Sequence, residues 1–156
     1  MTTKYMLFVL FLVLTLLPGP NNIEFTHSVA MRGCTQEDAP ALEIYLTCSP
    51  YTGTDLPDQP FIHIEVGGRD WQRLIGKDLE LLPLSRTGIS REKPLVRAEL
   101  KLKQEQQSFW LNGALRLTKV EPDTQVIGSY DFAGPDQQKW KGDFRANWIK
   151  RPGGCG

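Results

Sequence analysis

Val96-Arg97-Ala98-Glu99-Leu100-Lys101-Leu102-Lys103 alternates apolar and charged residues without a fault. On an extended chain, successive side chains point to opposite faces. Val96, Ala98, Leu100 and Leu102 therefore share one face, and Arg97, Glu99, Lys101 and Lys103 the other. One dry and one wet face is the signature of an antiparallel sheet.

The period continues toward the C-terminus. From Ser108 to Thr118, Phe109, Leu111, Gly113, Leu115 and Leu117 fall in phase, opposite Trp110, Asn112, Ala114, Arg116 and Thr118. Gln104-Glu105-Gln106-Gln107 is a polar connection of hairpin length between these two strands. Glu121-Pro122-Asp123 is a turn signal. A third strand follows over Gln125–Phe132, with Val126, Gly128, Tyr130 and Phe132 in phase. Gly134-Pro135-Asp136 turns the chain into a fourth strand. There Trp140, Gly142, Phe144, Ala146 and Trp148 alternate with Lys141, Asp143, Arg145 and Asn147. Four successive strands with short polar turns make a meander.

Toward the N-terminus the pattern is less regular. Ala41–Thr47 and Phe61–Val66 read as strands, with Leu42, Ile44, Leu46 and Ile62, Ile64, Val66 in phase. The intervening stretch holds Pro50, Gly53 and Pro57 and reads as a loop. Trp71–Leu84 reads either as a short strand pair or as a short helical turn, and Arg86–Lys93 as a polar loop. The sum is six to eight strands with no strand–helix alternation. That predicts an all-β fold, an antiparallel β-sandwich or a small up-and-down barrel.

Residues 1–20 read MTTKYMLFVLFLVLTLLPGP. Lys4 precedes an apolar run from Met6 to Leu17, and Pro18-Gly19-Pro20 ends any helix there. The run is shorter than the roughly 20 residues of a bilayer span. It fits the h-region of a secretory signal peptide, and a membrane tether through residues 6–17 is the other reading. Ser28-Val29-Ala30 has small residues at cleavage spacing but lies 13 residues beyond the run. A cut near Gly19 is closer but lacks that pattern. Met31-Arg32-Gly33-Cys34 departs from a lipobox at Arg32. The expected organisation is a signal or anchor helix with linker over 1–30, and a single β domain over 31–156.

Cys34, Cys48 and Cys155 in an exported chain predict one disulfide and one thiol left over. If the first and last strands are antiparallel neighbours, Cys34 and Cys155 come within bridging distance. If they are parallel, Cys48 is the better partner for Cys155. Cysteine catalysis would need an activating base, and the two histidines, His27 and His63, have no identifiable link to a cysteine.

The chain has 18 Lys plus Arg and 18 Asp plus Glu, a balance that disfavours nucleic acid as a partner. The sequence holds no Cys-x-x-Cys, no His-x-x-x-His, no Gly-x-Ser-x-Gly elbow and no Gly-Lys-Ser/Thr phosphate loop. His63 and Glu65 share a strand face, but opposite Ile62, Ile64 and Val66 they read as solvent-facing. No catalytic residue, metal or cofactor is therefore assigned. Trp110 with Asn112 and Arg116 is a candidate platform for a carbohydrate or peptide. Trp140, Phe144 and Trp148 read as core, or, in a barrel, as the lining of a ligand cavity.

The stretches Gly128-Ser129-Tyr130-Asp131-Phe132 and Gly142-Asp143-Phe144-Arg145-Ala146-Asn147-Trp148 resemble the closing hairpin of uncharacterised exported bacterial β-domain proteins. The likeness spans about 30 residues and is mainly a packing pattern. It implies a periplasmic, cell-envelope or secreted location and carries no activity. The leading expectation is a non-enzymatic exported domain that binds or scaffolds an unknown protein or small ligand. A carrier of apolar ligands comes second and an enzyme third. A carrier predicts a large apolar cavity. A binding domain predicts a filled core. An enzyme predicts a cleft in which acids converge with His63 or an arginine.

Overall fold

The computed structural model of the chain describes residues 23–35, 38–82, 94–102, 107–135 and 137–150. The leader, the Arg86–Lys93 loop, most of the Gln104–Gln107 connection and Cys155 lie outside these residues. Nine strands form: β1 His27–Cys34, β2 Pro40–Thr47, β3 Phe61–Gly67, β4 Asp78–Glu80, β5 Val96–Lys101, β6 Ser108–Trp110, β7 Asn112–Glu121, β8 Gln125–Ala133 and β9 Lys139–Trp148. They make one mixed sheet, ordered β4-β7-β8-β9-β1-β2-β3-β5-β6, that curls into a half-barrel. The all-β expectation holds. Details are corrected: nine strands form among the described residues rather than six to eight, and β1 runs parallel to β9. There is one curled sheet, not a sandwich of two.

Of the expected four-strand meander only the last three strands are consecutive neighbours, because β5 pairs with β3 and β6 and not with β7. β7 pairs with β8 and β8 with β9, both antiparallel. Glu121-Pro122-Asp123-Thr124 closes the first hairpin, with Thr124 N–H donating to Glu121 O and Asp123 at φ 63°. Gly134 N–H donates to Gln138 O at the second. Alternation becomes burial. Leu115 and Leu117 of β7, Val126 and Phe132 of β8, and Trp140, Phe144 and Ala146 of β9 face inward. They meet Leu42, Ile44 and Leu46 of β2, Ile62, Ile64 and Val66 of β3, and Val96, Ala98 and Leu100 of β5 in one continuous core. A register shift between Leu117 and Lys119 brings Val120 back to the inner face, as a β-bulge does.

Ser108–Thr118 is not the single strand its phase suggests. It pairs with β5 up to Trp110, and Leu111 N–H still donates to Ala98 O. From Asn112 onward it pairs with β8. The change of partner passes through Gly113, at φ 123°, where a Cβ would collide with the Asp131 carbonyl. β4 fills the space this leaves. Leu81 N–H donates to Gly113 O and Leu82 N–H to Val96 O, so the two ends of the sheet are brought together. The described part of the ambiguous Trp71–Leu84 stretch holds the expected helical turn, a 3-10 turn at Trp71–Leu74, and one strand, β4, in place of a strand pair.

β1 occupies sequence that the leader reading assigned partly to a linker. It lies between β9 and β2, and its eight register pairs with β2 run from His27↔Thr47 to Cys34↔Pro40. It lacks clean alternation because both of its faces are covered. Ala30 joins the main core, while Val29 and Met31 pack with Tyr45 and Phe61 on the outer face. The β2–β3 loop folds over that outer cluster through Tyr51, whose ring lies 5.4 Å from Tyr45.

Cys34 closes β1 instead of preceding the first strand, and the neighbouring last strand is parallel to it. The topological premise for the cysteine pairing is therefore replaced. Cys48 is a free thiol, so the alternative Cys48–Cys155 bridge is not made. The Cys34–Cys155 pairing involves a residue outside those described, and among the described residues no two cysteines bridge each other.

Candidate functional site

The proposed platform residues are spread along the strand that changes partner. Trp110, half-buried in β6, stands opposite Glu99 of β5. Arg116, exposed in β7, pairs with Asp78 at 3.6 Å and donates to Gly76 O at 3.0 Å. Asn112 is exposed at the start of β7. Six residues of strand span up to about 20 Å, so Trp110 and Arg116 do not converge on one small ligand. Of the three candidate core aromatics, Trp140 and Phe144 are buried. Trp148 is half-buried against the same core cluster, with its ring 6.2 Å from Trp71.

His63 and Glu65 are not solvent-facing. Register aligns Glu43, Glu65 and Arg97 across β2, β3 and β5, and Tyr45, His63, Glu99 and Trp110 in the next row. Glu43 is 6% exposed and Glu65 8%. Two carboxylates directly opposite one another repel, so the face must neutralise them. Arg97 stands 3.9 Å from Glu65, and His63 Nε2 stands 3.9 Å from Glu43. The Tyr45 hydroxyl donates to Glu43 Oε2 at 3.1 Å, and its ring stacks on His63 at 4.6 Å. Gly33 of β1 leaves the room Glu43 occupies, since a Cβ there would collide with the carboxylate. Acids thus converge with a histidine and an arginine, but as a packed face and not as an open cleft. Among the described residues no group of three His, Cys, Asp or Glu is placed to hold a metal. The period-two signal could not show this burial, because it reports one covered face and this part of the sheet has two.

Open concavities lie elsewhere, along β9. β1 and β9 pair only at Val29↔Asn147 and Ala30↔Trp148, continued by Ile149 N–H to Ala30 O at 2.7 Å. Before Ser28 the chain leaves β9, and Thr26 N–H donates to Thr47 O of β2 instead. The separation opens a cleft of about 640 Å³ lined by Phe25, Tyr130, Trp140, Lys141, Gly142 and Asp143. A second, of about 460 Å³, adjoins it and shares Phe25, Tyr130 and Asp143, adding Phe144 and Arg145. These volumes fall in the range of ligand clefts. Burial, and then the charge of Asp143, pushes the Tyr130 phenol above its ordinary value, so its hydroxyl stays a donor at neutral pH. The walls combine aromatic rings with charged rims, which suits recognition of a partly apolar, partly polar chain. No single motif marks this place in the sequence, because it arises where two distant strands part. The chain matches no protein-family model, no curated protein and no solved structure.

Proposed function

We propose that the chain is a non-enzymatic exported β domain that binds a partner at the cell envelope, with the clefts along β9 as its binding site. The observation that carries this reading is the contrast between a filled interior and an open β9 flank. Trp140 and Phe144 lie in the core cluster, where a carrier would need them to wall an empty chamber. Fatty acids should accordingly give no thermal shift. A shift that saturates with ligand would return the carrier to first place. The acids around His63 leave little room for a substrate, which supports binding over catalysis.

Export is proposed on Lys4, the Met6–Leu17 run and the Pro18-Gly19-Pro20 stop. The pairing of β1 supports processing upstream of it. A cut after Ala30 would remove half of β1, and a lipid on Cys34 would require losing residues 27–33, which pair with β2. Processing upstream of His27 keeps the sheet whole. Expression of the full chain in a bacterium, followed by fractionation and intact-mass measurement, tests this. A periplasmic or envelope-associated product, cut upstream of His27 or retaining its leader as an anchor, is expected. A cytosolic product of full mass would remove the export reading.

A further inference from the structure

We infer that the open flank of β9 receives an extended peptide segment of another protein as an added strand, one with apolar residues at alternate positions and acidic residues between them. The inference deepens the binding reading and rests on it. Its first support is the backbone. Trp148 N–H donates to Thr124 O in the β8–β9 ladder. In an antiparallel ladder, residues alternate between turning their N–H and C=O toward one neighbour and toward the other. Even-numbered β9 residues therefore bond to β8, and Lys139, Lys141, Asp143 and Arg145 turn their amides toward the β1 side. The β1 ladder begins only at Asn147. Among the described residues nothing pairs with those four on that side. A row of unpaired donors and acceptors on a strand is a template for strand addition. Here the row borders both clefts.

The side chains specify the occupant. A strand laid beside β9 would alternate between the two faces of the sheet, as β9 does. Its inward residues would lie over Phe25 and the narrow exposed edges of the otherwise buried Trp140 and Phe144. Its outward residues would lie beside Lys139, Lys141, Asp143 and Arg145. Lys141 is held by Asp131 at 3.4 Å, whereas Lys139 and Arg145 have no ion pair among the described residues. Glu24 and Asp143 are the acids on the rim. Lys139 and Arg145 only balance these two acids in number, but they stand at the two ends of the row, so acidic residues of the peptide belong opposite those ends.

The test uses the full chain, isotopically labelled, with a synthetic octapeptide of alternating valine and glutamate. Amide exchange at Lys141, Asp143 and Arg145 should slow about tenfold or more as the peptide saturates. A peptide N-methylated on its bonding edge should give no such protection. The exposed double variant Lys139→Glu, Arg145→Glu should weaken the acidic peptide by about tenfold and favour a valine–lysine peptide. Asp143→Pro removes one N–H on the open side while sparing the β8 ladder, and should also weaken binding. Peptide binding without protection of these amides, or equal binding of the N-methylated peptide, would overturn strand addition while leaving the cleft a binding site. Protection already present in the free chain would overturn it in favour of the chain's own segment if independent of concentration, and of a second copy if concentration-dependent. Lack of any peptide binding would overturn the inference and leave the export and carrier tests untouched.

Discussion

Tyr45 shows how much of the outer face rests on single atoms. Its hydroxyl donates to a Glu43 carboxylate that is almost wholly out of water. Hydrogen bonds to buried charged groups contribute more than neutral ones, because the unpaired group would keep its desolvation cost. Tyr45→Phe keeps the ring stack on His63 and removes that donor. It should lower stability by about 1–2 kcal/mol, read as a lower urea midpoint with an unchanged m-value. Cys48 allows a test by pH. The residue is exposed, but partial desolvation by its neighbours raises its thiol above the ordinary value, so the reactive thiolate is scarce at neutral pH. Native alkylation should be slower than that of a small thiol near pH 7.5, and should go on climbing at pH values where the small thiol has levelled off. A rate already at its plateau near neutrality would contradict the raised thiol. At this scale the sequence revealed little. It placed His63 and Glu65 on one face correctly, but the burial of that face depends on Tyr51 and β1, which no local pattern announces.

Among the elements, the corner between β6 and β7 is the most demanding. Gly113 sits at φ 123°, in a region that costs an L-residue energy, and a Cβ would also meet the Asp131 carbonyl. Gly113→Ala should cost about 3 kcal/mol, a fall in Tm on the order of 10 °C for a domain of this size. A Tm within a degree or two of the parent would show that the corner relaxes freely. The hairpins β7–β8 and β8–β9 were legible because one face of each strand is core and the other solvent. β1 was not legible, because Ala30 and Met31 are buried on opposite faces and burial on both sides erases alternation. The corner was hidden for a related reason. Phase continues through Leu111 and Gly113 while the partner strand changes, and period two records the face of a residue without recording its neighbour.

Across the whole molecule, stability should be graded by position in the sheet. β2 lies inside the order, next to the central β1, and is buried from Ala41 to Thr47 on both faces. β4 and β6, three residues each, are its ends. Native-state hydrogen exchange should therefore be slowest for β2 amides, approaching the global unfolding free energy, and fastest for β4 and β6. Uniform protection across all nine strands would mean that the ends do not open separately. The all-β class and the C-terminal meander were legible at this scale, since they follow from local periodicity. The single curled sheet and its one parallel pair were not, because they depend on which distant strands meet. The same holds for the clefts, which exist only because β1 and the first half of β9 diverge.

That parallel pair also sets a schedule. β1 is made first among the strands and β9 last, so β1 waits with one side open while the rest of the sheet is synthesised. Roughly a hundred residues separate them, which at about 5–20 residues per second is on the order of ten seconds. Throughout that interval the nascent chain lacks the strand that joins its two halves and stays loosely organised. The proposed export would gain from such a delay, because a polypeptide that threads a secretion channel must not yet be folded.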